Sequence, residues 1–396
     1  MMCFRQGRRD YPPAGMIMTA LAAACCLGAT PVRAEDAPAP PEMRGPVKVT
    51  FDYKLDAVGV AEGPGSGHAL VLGDADLAAD VDLEKAVGWR GAAAHVEVSQ
   101  THGGAPNERA GTLQGVNNIE VASRRLRLYQ AWVEQGWADG ALSLRAGAYD
   151  VSSEFATLTS AADLIAPAFG IAPELAGGGP NGVAAYPSTA LGARLSLQRG
   201  HGYAYAAVVN ARPGALGDNG GVDTGFSDGV LLIGEAGYKA KSKLAIGYWA
   251  FSQLQPGQGP AASGDRRAWG GYLAAETPIH GGWTAFARVG MTDGNTQPLA
   301  GSWQAGVRLQ PLLHARPDSL LALGVSQVRL ASAYRAAEIA AGLDPSQSET
   351  LVELTYADIV GGKLRLQPDL QYVRFPGGDR RASDAVVASM RLELTL

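Results

Sequence analysis

Gly225-Phe226-Ser227-Asp228-Gly229 spells G-x-S-x-G, the pattern that in a hydrolase raises a serine on a strand-to-helix turn. Here a glycine- and aspartate-rich stretch surrounds it and the apolar segment GVLLIGEAGY (229–238) follows, so no nucleophile elbow is expected. The run GGGPNG (177–182) matches G-x-G-x-x-G by letter, but Pro180 stands where a helix should begin and no βαβ alternation surrounds it. His68, His95, His102, His201, His280 and His314 show neither i, i+4 nor H-x-H spacing and no attendant acidic cluster, so no metal site and no cofactor is expected. His102, His201 and His280 each adjoin glycine and read as turn or interface residues. What remains is a set of arginines, tyrosines and carboxylates: Arg125, Arg127, Tyr129, Arg145, Tyr149, Arg194, Arg308 and Asp369, with Asp150, Glu154 and Phe155. Their chemistry is non-covalent, the exchange of hydrogen bonds with a polar solute and the packing of a ring against its C–H face.

The elements that would position these residues begin after a leader. Arg5, Arg8 and Arg9 form a basic n-region, Met16 to Gly28 an uncharged apolar core, and Val32-Arg33-Ala34 a cleavage site, so residues 1–34 read as a signal peptide cut after Ala34. Arg8-Arg9 lacks a twin-arginine context, and Cys25 and Cys26 lack a lipobox because Ala22 stands where a larger aliphatic residue is preferred. Cys3, Cys25 and Cys26 all lie in this leader, which leaves the mature chain no thiolate ligand or cysteine nucleophile. Of 33 basic and 38 acidic residues the leader removes Arg5, Arg8, Arg9, Arg33 and Asp10, for a mature net charge of −8. An acidic chain argues against nucleic acid as a partner. Residues 35–46 (EDAPAPPEMRGP) are Pro-rich and read as a flexible lead-in.

From residue 47 to 396 the dominant signal has period two. Val49, Phe51, Tyr53, Leu55 and Ala57 alternate with charged or polar residues, as do Leu142, Leu144, Ala146 and Ala148, then Ala193, Leu195 and Leu197, then Trp303, Ala305, Val307 and Leu309. The last two segments, Leu364–Tyr372 and Val386–Leu396, are the most regular. Alternation means one apolar and one wet face. Stretches such as 212–225, 255–265 and 292–302 break it with turn residues. The long uncharged run 175–193 contains three glycines in a row, Asn181, Pro180 and Pro187, and cannot be a spanning helix. A membrane crossing therefore requires a closed barrel.

Three details favour such a barrel over a soluble sandwich. Arg and Asp sit in mid-strand on the polar phase, whereas Arg or Lys on a lipid-facing midplane would cost about 2–4 kcal/mol. Trp269, Trp283 and Trp303 each follow a polar or glycine-rich connection and are expected to open a strand at an aromatic girdle. The sequence ends on an alternating segment, as a closing strand would. The mature 362 residues would supply 16 strands at about 23 residues each, with 14 or 18 also in range.

Several segments resemble the carbohydrate-selective porins, the outer-membrane glucose-porin family: LYQAWVEQ (128–135), LRAGAYDVSSEF (144–155), AFGIAPEL (168–175), YPSTALGARL (186–195), GEAGY (234–238) and LQPDLQYVRFPGG (366–378). Their order along most of the mature chain is more specific than any one of them. The resemblance implies an all-β transmembrane barrel of 16 antiparallel strands, inward-folded loops that narrow the lumen, and passive uptake of small neutral sugars through the outer membrane. Ser152 stands where the family usually has Asn, and Leu396 replaces the usual aromatic C-terminus.

On this reading Arg125, Arg127 and Tyr129 line the lumen from one strand, Arg145 and Tyr149 from the next, then Arg194, with Arg308 and Asp369 on later polar phases. Asp150, Glu154 and Phe155 begin the connection 150–190, too long for a hairpin and so the candidate constriction loop. Opposed Arg and carboxylate groups would hold the net charge of an eyelet near zero. Gln130 falls on the lipid phase with Leu126, Leu128 and Trp132, so it lies near an interface or a bulge shifts the register and misassigns Arg127. Expected partners are neutral carbohydrates, outer-membrane lipids and the barrel-assembly machinery, with a homotrimer as an option. The competing readings are a general or ion-biased porin, a barrel enzyme needing a Ser–His pair near the interface, and a soluble β-rich periplasmic protein.

Overall fold

The computed structural model describes residues 45–121, 124–218, 220–259 and 264–396. The signal-peptide reading of 1–34, and the lead-in except its last two residues, lie outside them. Sixteen strands close into one antiparallel barrel in which each pairs with its sequence neighbours and the last with the first. They are β1 (Val47–Glu62), β2 (His68–Asp82), β3 (Ala92–Gly103), β4 (Leu126–Trp137), β5 (Leu142–Tyr149), β6 (Ala190–Arg199), β7 (Gly202–Asn210) and β8 (Val230–Lys239). There follow β9 (Lys243–Pro256), β10 (Asp265–Pro278), β11 (Trp283–Thr292), β12 (Leu299–Leu309), β13 (Leu320–Leu330), β14 (Ser348–Val360), β15 (Leu364–Arg374) and β16 (Ala385–Thr395).

Alternation fixes which way each strand faces. Leu144, Leu195, Trp303, Leu370 and Met390 are exposed on the outer surface, while Ser143, Arg194, Gln304, Asp369 and Arg391 on the other phase are buried inside. Closure is made by Asp56 and Arg391, directly paired across β1 and β16 and joined at 2.7 and 2.8 Å. Of the three tryptophans expected to open strands, Trp283 does so at the rim of short turns. Trp269 and Trp303 instead follow Asp265–Ala268 and Leu299–Ser302, because β10 and β12 begin to pair before reaching the girdle level.

The two rims differ. Connections leaving even-numbered strands are mostly tight (138–141, 200–201, 240–242, 279–282, 361–363), whereas those leaving odd-numbered strands include 104–125, 150–189, 211–229 and 331–347. The motif Gly225–Gly229 lies in one of these long connections, and GGGPNG in another. The long connections 104–125 and 150–189 turn into the barrel, so the buried apolar cluster sits inside it. There Phe155, Leu164, Phe169 and Leu175 of one loop meet Trp249, Phe251 and Phe286 of the wall. Glycines on the inward phase make the room. A Cβ on Gly324 would fall 2.5 Å from Leu164 Cδ1 and 2.6 Å from Phe169 Cε1, and one on Gly290 would overlap the carboxylate of Glu174.

Candidate functional site: a charge-balanced constriction

Register brings the polar wall together. Glu134 pairs with Arg145 across β4 and β5, and Arg145 with Arg194 across β5 and β6. Two arginines directly opposite would repel. Carboxylates on either side cancel this: Glu134 lies 2.7 Å from Arg145 and 3.2 Å from Arg194, and Glu154 lies 3.3 Å from Arg145 and 2.6 Å from Arg194. Ser143 completes the set, donating to Glu134 at 2.5 Å and accepting from Arg194 at 2.9 Å. Two cations and two anions thus share one patch. The Arg145 guanidinium also lies 3.7 Å from the Trp132 ring centroid, and Arg194 lies 5.8 Å from that of Tyr205. Beneath them opens a funnel of about 400 Å³ on the short-turn side, lined by Glu134, Ser143, Arg145, Glu154, Arg194 and Tyr205.

Glu154 reaches this patch because the loop 150–189 is bound to the wall along its length. Asp150 caps the turn Val151–Ser153 by accepting from the Ser152 amide at 2.7 Å, and also accepts from Tyr129 Oη at 2.7 Å. Further on, Glu235 and Tyr272 both bond the Ala156 amide, Lys243 Nζ donates to Thr157 O at 2.7 Å, and Arg288 donates to Ala156 O and Ala168 O at 2.7 and 2.6 Å. Asp163 bridges Arg308 (2.7 Å) and Arg365 (3.1 Å) on the opposite wall. Glu353 accepts from the amides of Ile165 and Ala166. The second inward loop, 104–125, is clasped by Glu349, which accepts from the amides of Leu113, Gln114 and Gly377. Asn117 donates to Asp56 at 2.6 Å.

The structure brings Arg145, Glu154 and Arg194 into one cluster and places Arg308 against the loop tip. Tyr149, at the end of β5, and Phe155, within the loop itself, are both fully buried, so neither lines open lumen. Tyr129 and Asp150 are buried against each other. Asp369 faces inward but is covered by the second loop, accepting from Gln371, which also donates to Val116 O. Arg125 lies just before β4 rather than on it, its carbonyl accepting from the Thr101 amide at 3.3 Å, and its side chain donates to Gly217 O at 3.2 Å. Gln130 owes its phase to a bulge: Glu97 pairs with Gln130 but Val98 pairs with Leu128, so Tyr129 is the extra residue. The bulge falls after Arg127, which stays inward, bonded to Thr101 and Asp218. It is Gln130, Trp132 and Glu134 that move to the lumen. Glu134, Lys243, Glu235, Arg288 and Arg365 were absent from the sequence-derived set, and for Glu134 the misplaced Gln130 was the available signal.

Burial pushes the Asp150 carboxyl up from the ordinary 3.8 to about 6, against the opposing bonds from Ser152 and Tyr129. A raised folded-state value means that its contribution to the docked loop is fully present below about pH 4 and lost as pH rises through about 6. Hydrogen-exchange protection of the Ser152–Ala156 amides, corrected for intrinsic rate, should therefore fall between about pH 4 and about pH 6, the interval between the ordinary and the folded-state values, and level off above it. In Asp150→Asn, which keeps a capping oxygen, the fall should disappear. A profile unchanged by the substitution would assign the slope to another group.

The comparisons agree with this architecture. A family model described as carbohydrate-selective porin, OprB family, matches residues 67–396. Porin B of Pseudomonas aeruginosa is 23% identical over 87% of this chain and 87% of its own. The high-pH structure of Pseudomonas putida OprB superimposes with a TM-score of 0.79 at 20% identity, over 88% of this chain and 94% of that one. A mutant of the Rh. blastica porin superimposes with a TM-score of 0.51 at 10% identity, over 88% of this chain and all of that one, and so shares the fold. The chain belongs to the carbohydrate-selective porin, OprB family.

Proposed function

We propose that the protein is an outer-membrane channel through which small neutral sugars diffuse passively toward the periplasm, and that it reaches that membrane by cleavage of residues 1–34. The observation that carries this reading is the constriction of Glu134, Arg145, Glu154 and Arg194, which sums to zero charge while crowding donors and acceptors onto one patch. A neutral polyol gains hydrogen bonds there, and an ion gains no net attraction. Arg194 and Tyr205 together offer both a hydroxyl partner and an aromatic face. Binding must stay weak, because a tightly held solute blocks its own passage.

The test is single-channel recording of the purified mature protein in a planar bilayer. Discrete channels should form, weakly ion-selective, and glucose should block them reversibly at about millimolar concentration, a binding free energy of about −4 kcal/mol. A size-matched non-sugar should block less. Channels indifferent to sugar would leave a general porin, and no channels would remove the reading.

A further inference from the structure

A second cavity lies away from the charged patch. It has a volume of about 320 Å³, within the range of small-molecule sites, and three independent elements build it. The loop 104–125 supplies Leu113 and Gln114, the constriction loop supplies Ile171 and Pro173, and the wall at the start of β12 supplies Pro298 and Leu299 next to Gln297. All of it stands on the long-loop side. No lining residue is charged, and Gln114 and Gln297 are the polar ones.

Those two glutamines differ. Gln114 is fully engaged, its amide nitrogen directed at Glu349 and its Oε1 accepting from Ser326 at 2.5 Å. Gln297 is 2% exposed, and its Nε2 donates to Glu174 O at 2.8 Å. A carbonyl can only accept, so this bond fixes which end of the amide is nitrogen. Its Oε1 then has no partner. It lies against Gly177, another lining residue, where a Cβ would come within 2.7 Å of it. A buried acceptor without a donor is costly, and a donor brought by an occupant of the cavity would satisfy it.

The occupant must be mostly apolar, uncharged, and carry one donor toward Gln297. A bare hexose in this cavity would leave several hydroxyls facing aliphatic walls, each a desolvation cost. An anion would find no free donor. We propose that the cavity binds the apolar aglycone of neutral aryl or alkyl glycosides, with a hydroxyl of the attached sugar donating to Gln297 Oε1. It is a vestibule distinct from the polar constriction. The proposal rests on the sugar-channel reading for its consequence in transport, but the binding itself does not.

The experiment is therefore a binding measurement first. The detergent-purified full-length mature protein is titrated with phenyl β-glucoside and with glucose, followed by calorimetry and saturation-transfer NMR. Phenyl glucoside should bind on the order of tenfold more tightly than glucose, as burial of a phenyl ring warrants. Its ring protons should receive more saturation than its sugar protons. Leu113→Asn should reduce the affinity ratio to about one, because a polar side chain replaces an apolar wall. Should that variant fail to give a heat-modifiable band, Ile171→Asn probes the opposite wall. Equal affinities in the wild type, as when only water fills the cavity, would overturn the proposal. So would a tenfold preference that survives in the folded variant, since it would report partition into detergent or another site. Bilayer recordings on the same sample keep the two readings apart. Loss of channel activity would remove the transport function, and the titration would still decide the site.

Discussion

Arg194→Ala should turn a balanced constriction into a cation-preferring one. The wild-type patch carries two guanidinium groups and two carboxylates within 2.6–3.3 Å of one another. Without Arg194, Glu134 and Glu154 share Arg145 alone and one negative charge is left facing the funnel. A unit charge about 7 Å from the ion path, at an effective dielectric constant of about 50, is worth about 1 kcal/mol. Potassium gains and chloride loses about that much, so the potassium-to-chloride permeability ratio should rise on the order of 25-fold, read from reversal potentials in a salt gradient. Glu154→Gln should move it in the opposite direction, toward anions, because one guanidinium loses its counter-charge. Glucose block should weaken in both variants. Breaking a buried pair from one side costs about 3–5 kcal/mol, so folding is checked by heat-modifiable gel mobility. Arg194→Lys preserves charge but not the fork that bonds both oxygens of Glu154, at 3.0 and 2.6 Å, and should keep wild-type ion selectivity while loosening the loop. Reversal potentials unmoved in both charge-altering variants would place the selective step elsewhere.

The barrel was legible in the sequence because its signal is local. Period two in segments such as Leu364–Tyr372 and Val386–Leu396 assigns inside and outside without knowledge of neighbours, and both segments became strands with the expected face inward. The strand number came from the family resemblance, since alternation alone allowed several. The constriction loop was legible as a length, and its start at Asp150 follows from Tyr149 ending β5. What alternation could not carry was anything set by a partner strand or a folded-in loop. The bulge at Tyr129 reverses the phase of β4, so Glu134 reads as lipid-facing in a strict count and is in fact half of the charge balance. Tyr149 and Asp369 sit on the inward phase as read, yet loops cover them, and Phe155, read as the start of the constriction loop, is buried within it; burial by a distant segment has no periodic signature. The loop 104–125 folds in with its clasp supplied by Glu349, more than half the chain away, and nothing in its own residues announces this.

Arg288 shows how such long-range contacts hold the inward loop, and removing it should widen the channel. It is fully buried on the inward phase of β11, where Gln304 Oε1 accepts its Nε–H at 2.9 Å. Its two remaining nitrogens hold the carbonyls of Ala156 and Ala168, drawing both ends of one loop segment to the same side chain. Carboxylates hold the amides of that segment, Glu235 at Ala156 and Glu353 at Ile165 and Ala166. A cation thus takes carbonyl oxygens and anions take N–H groups, each the strong, charge-assisted kind of bond. Arg288→Met keeps much of the volume and leaves two buried carbonyls unpaired, at about 1–3 kcal/mol each. A loop opens locally for a cost of that size, while the strand ladder does not. Single-channel conductance should rise by about twofold and become noisier, as expected when a constriction is released. The heat-modifiable band should persist. Glu353→Gln, whose amide oxygen still accepts one N–H, should give a smaller rise. The two together separate the loop from the barrel. Conductance and size cut-off unchanged in Arg288→Met, with the band intact, would mean that the remaining contacts hold the loop without it.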